Sequence, residues 1–118
     1  MSTVAQFVAL VESVFDKRFY PDVAPENSKL PYATWSQVGG IPLTYLEGAN
    51  ADKQAARIQI NVWAKNVMDA RQKMIAVSDI VVATPINGEP QSAALSAYSQ
   101  PSPNVRGMQQ DFMIWFQQ

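Results

Sequence analysis

Carboxylates are the side chains that would carry acid–base chemistry in this sequence, because it contains neither histidine nor cysteine. The absence of both excludes cysteine nucleophiles, histidine-based triads and Cys/His metal sites. Catalysis by a carboxylate pair requires two carboxylates that converge on one point. Asp69 and Asp79 share a predicted helix, but they are too far apart along it for their side chains to meet. The other candidates are scattered over predicted loops and element ends: Asp16, Asp22, Glu26, Glu47, Asp52, Glu89 and Asp111.

The remaining polar motifs do not indicate catalysis either. Gly39, Gly40 and Gly48 match neither a phosphate-binding loop nor a dinucleotide-binding fingerprint, and no Ser, Thr or Lys lies in a recognised nucleophile motif. Four basic residues cluster in the middle of the chain: Arg57, Lys65, Arg71 and Lys73. They could contact nucleic acid, but the net charge of −1 favours a solvated face with local ion pairs. We therefore predict a protein that is not an enzyme and has no catalytic, metal or cofactor site.

The middle of the chain predicts a strand that leads almost directly into a helix. Ile58, Ile60 and Val62 alternate with other side chains at the period of a strand. Asn66 is placed to cap the helix that follows, with Asp69 in its first turn. The apolar stripe of this helix recurs at spacings of three and four: Val67, Ala70, Met74, Val77 and Val81. The helix must fold back to bury that stripe, most simply against the Ile58 face of the strand.

The 118 residues, 47% of them hydrophobic, suit a single domain spanning 1–118. Thr3 and Gln6 fit a capping box at the start of a first helix, and Pro42 restricts any strand near 41–45 to an edge or a bend. The element order α-β-(β)-β-α-β-β predicts an α+β fold, with a largely antiparallel β-sheet and two helices packed on one face. The predicted bounds are a helix from Val4 to about Lys17, strands at 30–38, 91–99 and 109–116, and irregular connections at 20–31, 39–53, 84–90 and 100–107.

Large side chains remain on the side of the sheet away from the helices. If the helices cover the side that carries Phe112, Ile114 and Phe116, then Trp63, Met113 and Trp115 project from the opposite side. The sequence does not decide on which side of the sheet Trp35 lies. Such rings can bury ~150–250 Å² each, and an exposed patch of that size is uncommon on monomers. Either loops 20–31 or 39–53 fold over this side, or another subunit covers it, and we favour another subunit. The predicted subunit interface comprises Arg57, Gln59, Asn61, Trp63, Met113 and Trp115.

Four segments of the chain also resemble a known family in their order and spacing. A proline-flanked loop at residues 20–26 precedes Leu30-Pro-Tyr-Ala-Thr-Trp, and Val38-Gly-Gly-Ile-Pro-Leu follows. Ala56-Arg-Ile-Gln-Ile-Asn-Val-Trp-Ala-Lys then leads into the second helix. This pattern covers nearly the whole chain and resembles the tail-completion proteins, or tail terminators, of long-tailed bacteriophages and prophages.

The resemblance implies a structural protein of the virion with no catalytic residues. Members form rings, commonly hexameric, on the last ring of the tail tube, where they stop tube polymerisation and present a surface to the head connector proteins. The chain would assemble in the cytoplasm of the host bacterium and remain in the virion tail, with DNA passing through the lumen without specific binding and with no membrane partner. The resemblance also implies that the long connection 39–53 contacts the tail tube or a neighbouring ring. The residues expected in this contact are Tyr45, Leu46, Glu47, Asn50, Asp52 and Lys53.

Two alternatives stay open from the residues alone. A small-ligand or peptide-binding α+β module could use the face that carries Trp63 and Trp115, and a deep pocket of mixed apolar and polar lining would favour it. A head-closure or adaptor protein of the same particle is the other, because one fold in such assemblies serves several roles.

Overall fold

A computed structural model of the chain describes residues 3–40, 54–84, 86–97 and 105–116. The first helix, Thr3–Glu12, continues into a single 3-10 turn at Ser13–Phe15. The element order agrees with the prediction of two helices and a sheet. The helices are α1 (Thr3–Glu12) and α2 (Val67–Val82), and the strands are β1 (Phe19–Pro21), β2 (Tyr32–Gly40), β3 (Gln54–Ala64), β4 (Glu89–Pro90), β5 (Leu95–Ala97) and β6 (Arg106–Phe116).

Strand β3 lies in the middle of the sheet, between β2 and β6, and pairs antiparallel with both. Strands β4 and β5 pair antiparallel with different parts of the other edge of β6. Only β1, which pairs with β2, is parallel to its neighbour among the described strands. The prediction of an α+β fold with a largely antiparallel sheet is confirmed.

Both helices pack on one side of this sheet and enclose a single core. The register places Ile58 opposite Phe112 and Val62 opposite Met108, so the inward side chains of β3 and β6 alternate in phase. The predicted stripe of α2 packs on them, except that Val67, the first helical residue, is exposed. The largest fully buried side chains are Phe7, Val11, Phe15, Ile58, Ile60, Val62, Met74, Val77, Val81, Phe112 and Ile114.

Several predicted boundaries differ from the structure. The first helical segment ends at Phe15 rather than Lys17, because Asp16 and Lys17 take left-handed φ values of 52° and 71° that no helix can continue. Tyr20 and Pro21, the first residues of the predicted irregular connection 20–31, belong to β1 together with Phe19. Within the predicted strand 91–99 only Leu95–Ala97 is described as a strand (β5), whereas β4 lies in the predicted connection 84–90. Strand β2 runs from Tyr32 to Gly40 rather than over 30–38, and β6 begins at Arg106 rather than Gln109. The ambiguous segment 41–53 lies outside the described residues.

Strand β1 contributes to an aromatic cluster that also settles the position of Trp35. The Trp35 ring meets Phe7 of α1 edge to face at 5.7 Å between centroids and lies 6.4 Å from the Phe19 ring. Trp35 is therefore on the helix side of the sheet and does not join Trp63. Its indole Nε1 is buried and has no hydrogen-bond partner among the described residues.

The two ends of α2 are fixed by specific contacts. At the N-terminus, Asn66 Oδ1 accepts a hydrogen bond from the Asp69 backbone N–H (2.9 Å), and Asn66 Nδ2 donates to Asp69 Oδ2 (3.2 Å). This confirms the predicted cap. Past the C-terminus, the Gly88 N–H donates to the Val81 carbonyl (2.7 Å) and satisfies one of the terminal helix carbonyls.

We expect Asn66→Ala to lower the free energy of unfolding by about 1 kcal/mol, because the first turn of α2 loses its cap. Asn66→Ser, which keeps an acceptor at the same position, should lose only a small part of that. Urea titration followed by circular dichroism measures both. Equal losses in the two variants would show that the cap does not stabilise α2.

We expect Gly88→Ala to lower the free energy of unfolding by about 1–3 kcal/mol through overpacking. A Cβ at Gly88 would lie 2.7 Å from the Val81 Cγ1 and 3.1 Å from the Met113 carbonyl oxygen, and neither can retreat, because Val81 is fully buried and the oxygen is backbone. Gly39→Ala is the matched control, since its nearest neighbour, Arg57 Cβ, is at an ordinary 3.4 Å. A Gly88→Ala protein as stable as Gly39→Ala would contradict the close approach of β4 to α2.

Candidate assembly surface

No group of three or more His, Cys, Asp or Glu in the described ranges could hold a metal ion. Neither helix in that part of the chain is long and apolar enough to cross a membrane. The candidate site is the sheet side opposite the helices, here called the outer face. It comprises Tyr32, Thr34 and Ser36 of β2; Ala55, Arg57, Gln59, Asn61 and Trp63 of β3; and Gln109, Asp111, Met113 and Trp115 of β6.

Arg57 and Asp111 form an ion pair in the middle of the outer face. Arg57 Nε and Nη2 lie 3.0 Å and 2.9 Å from Asp111 Oδ2. The Asp111 side chain is 15% exposed and that of Arg57 40%. Such charge-assisted bonds are stronger than neutral ones. Arg57, a predicted interface residue, therefore neutralises a largely buried carboxylate of its own chain.

The rest of the centre of the outer face is polar and arranged in rows across the strands. The registers place Thr34, Asn61 and Gln109 side by side, and the next row contains Ser36 and Gln59. Within β3, Asn61 Nδ2 donates to Gln59 Oε1 at a long 3.4 Å. The predicted interface residues Gln59 and Asn61 therefore share one side of the sheet, and both are half-buried.

Trp63 corrects the expectation that this face leaves it exposed. It does project from the outer face, but it is only 6% exposed in the single chain. Tyr32 lies directly opposite it on β2, and residues 22–24, which follow β1, line the same concavity. The chain turns there at Asp22, whose φ is 61° and whose N–H donates to the Trp35 carbonyl (2.8 Å). The chain itself therefore covers this indole, as the alternative with loop 20–31 supposed.

The concavity beside Trp63 has a volume of about 350 Å³, the low end for ligand sites. Thr34, Asn61 and Gln109 form part of its polar lining, and the exposed Val23 lies at its edge. Burial raises the pKa of the Tyr32 phenol, which also lines it. This open, mostly polar concavity is not the deep pocket of mixed apolar and polar lining that would favour the ligand-binding alternative.

Met113 and Trp115 occupy the other end of the outer face and are half-buried. Trp115 pairs with Ala55 across β3 and β6, and Met113 pairs with Arg57. The chain leaves β2 at Gly40 and enters β3 at Gln54 at this same end of the sheet, since Gly40 pairs with Ala56. The predicted contact loop joins these two points, but its residues Tyr45, Leu46, Glu47, Asn50, Asp52 and Lys53 lie outside the described residues.

The four basic residues of the central segment do not form one patch. Arg57 is on the outer face, whereas Lys65 and Lys73 line a cavity of about 370 Å³ near the start of α2. Arg71 lines a separate groove on another side of the helix, beside Ala94. The structure therefore favours the predicted solvated positions over a single nucleic-acid surface.

The sequence reasoning missed one surface feature. Met68, Ile75 and Val82 form an exposed apolar row on α2, with 59%, 55% and 42% of their surfaces accessible. Their spacing of seven is visible in the sequence, but these residues lie outside the buried stripe on which the prediction for α2 was based.

Comparison with known proteins agrees with the fold and with the resemblance described above. Residues 2–117 match the family model described as "Tail completion protein gp17". Among solved structures, a chain from the "Virion of native gene transfer agent (GTA) particle" superposes with a TM-score of 0.57 at 14% sequence identity. The match covers 98% of this chain and 92% of that one, and at this identity it bears on the fold. A search of curated proteins gave no match.

The family model accounts for almost every residue, and the fold is similar to that of a chain in the gene transfer agent virion. The chain belongs to the tail completion protein gp17 family and is a structural component of a phage tail.

Proposed function

We propose that this chain is a tail terminator, whose copies form a closed ring on the end of the tail tube. The ring, hexameric as the family resemblance implies, stops tube polymerisation and presents a joint to the head connector. It is assembled in the cytoplasm of the host bacterium, and DNA passes through its lumen. The observation that carries this proposal is the match of residues 2–117 to the tail completion family, with no part of the outer face built as a reaction centre.

The outer face supplies a plausible contact at one end. A ring built from one chain needs two different, complementary patches on each subunit, because each copy contacts its neighbours head to tail. Met113 and Trp115 retain accessible apolar surface at the end where 41–53 begins and ends. Trp is enriched among the residues that dominate binding energies at interfaces. We therefore place the ring contact at Met113 and Trp115, beside the predicted tube-contact loop.

The remaining predicted interface residues contribute less to the proposed ring contact. Trp63 is covered by its own chain, so it supports the face rather than meeting a neighbour. Arg57 is paired with Asp111 but keeps 40% of its side-chain surface accessible, and it faces Met113 across the strands. It can therefore form the polar rim of a contact centred on Met113 and Trp115.

Removing this chain from a phage that encodes it should give overlong tails, because nothing then stops tube growth. Electron microscopy of the particles measures tail length directly. A head-closure or adaptor protein predicts a different result, namely tails of normal length that fail to join heads. Normal-length tails would therefore contradict termination. Supplying the gene in trans is the control that should restore the length.

Trp115→Ala should prevent ring formation while leaving the subunit folded. Size-exclusion chromatography with light scattering, with purified tail tubes added as a template, measures the assembled mass, and circular dichroism monitors folding. Leu10→Ala is the matched control, because Leu10 is an accessible apolar residue (36% exposed) of α1, on the other layer of the domain. Rings of Trp115→Ala that form as readily as those of Leu10→Ala would exclude Trp115 from the subunit contact.

A further inference from the structure

The outer side of α2 has a pattern that is symmetric about Ile75. Met68 and Val82 lie seven residues before and after it, and all three are exposed. Arg71 and Asp79 lie four residues before and after it, and both are exposed. With 3.6 residues per turn, all five project from one side of the helix, away from the buried stripe.

Arg71 and Asp79 have opposite charges, and neither forms an ion pair with any described residue. They cannot pair with each other, because eight residues separate them by about 12 Å along the helix. In an antiparallel pair of α2 helices related by a two-fold axis at Ile75, residue 71 of one copy would face residue 79 of the other. The same axis would bring Met68 against Val82 and Ile75 against its own counterpart.

We propose that α2 packs against α2 of a second copy of this chain, antiparallel, about a two-fold axis at Ile75. The apolar row supplies most of the attraction, and the two Arg71–Asp79 pairs fix the direction and register of the helices. A partner other than a second copy would not require opposite charges at equal distances on the two sides of a central apolar residue. The second copy is therefore the occupant that this surface fits.

The geometry beside Ile75 suits such packing. A groove of about 390 Å³ runs along α2 and is lined by Ile75, Ser78, Ala94 and Gln110, with Arg71 and Asp79 also at its walls. Helices pack at 8–10 Å between axes when side chains of one enter grooves of the other. The contact is small compared with a standard interface of about 800 Å² per partner, so we expect a weak dimer.

This contact is additional to the ring contact. A two-fold interface closes with two subunits, whereas a ring uses head-to-tail contacts. The two proposals also use opposite layers of the domain, α2 and the outer face. The dimer can therefore be tested on the purified chain without tail tubes.

Disulfide trapping tests the axis directly, because the chain has no cysteine of its own. Ile75→Cys places one thiol on the proposed axis, where it meets its counterpart, so mild oxidation should give a covalent dimer rapidly. Lys73→Cys is the control, since Lys73 lies on the other side of the helix, at the cavity with Asp69 and Gln72. Equal trapping at the two positions would overturn the proposal.

Charge reversal tests the register. In the Ile75→Cys protein, adding either Arg71→Glu or Asp79→Arg puts like charges opposite each other and should slow trapping by about fivefold, the effect of ~1 kcal/mol from two exposed pairs. An equimolar mixture of the two charge variants restores both opposite-charge pairs, so heterodimers, identified by mass, should form at the original rate. Circular dichroism checks that α2 remains folded.

Two further results would overturn the register or the charge pairing of the proposed dimer. A mixture that traps no faster than the single charge variants would overturn the antiparallel register. Lys73→Glu in the Ile75→Cys protein matches the charge change of Arg71→Glu and should leave trapping unchanged; slowing by Lys73→Glu as large as that by Arg71→Glu would overturn the specific pairing. Failure of trapping leaves tail termination untouched, and normal-length tails would contradict termination without changing the trapping result.

Discussion

The antiparallel ladder between β3 and β6 is the constraint on which the rest of the molecule depends. It runs without a shift from Gln54 opposite Phe116 to Ala64 opposite Arg106. Because strand side chains alternate with a period of two, this one register decides which side chains enter the core. A slip of one residue on β6 would move Phe112 and Ile114 to the outer face and bring Asp111 against the helices. The loss of buried apolar surface and the unpaired carboxylate would both oppose it.

The same register explains why the outer face can be so polar and still be ordered. Asp111 lies diagonally across from Arg57, close enough for two short contacts to one carboxylate oxygen. On the far side of β6, the Asp111 carbonyl accepts from the Gln91 N–H and its own N–H donates to Ser92 Oγ. The segment beside β4 is thus tied to the residue that neutralises Arg57. The pairing of β3 with β6 therefore determines which side chains form the core, which form the outer face and which contacts hold the sheet edge.

The sequence predicts most strongly where a period persists over many residues. The alternation of β3, the stripe of α2 and the Asn66 cap were all visible locally, and all are present in the structure. Strand β1 was not visible, because three residues ending in Pro21 carry no period and are held by parallel pairing with β2. The cover over Trp63 was one of the two alternatives in the sequence but not the favoured one, since it involves residues 22–24, about forty positions away. Trp35 could be assigned to the helix side only once Phe7 and Phe19 were in place.

A domain with two layers can separate two kinds of contact between identical copies. Among the described residues, the exposed end of the sheet layer has no self-complementary arrangement, since Met113 and Trp115 face outward there beside Ala55 and Arg57. A contact at that end would therefore join unlike patches and could continue from copy to copy. The helix layer has a self-complementary pattern about Ile75, with opposite charges four residues to either side of it, so a contact there closes with two copies. Because α2 packs on the opposite side of the sheet, occupying one contact does not bury the other. The two proposed contacts thus lie on opposite layers, which would let one small chain separate growth around a ring from pairing between two copies.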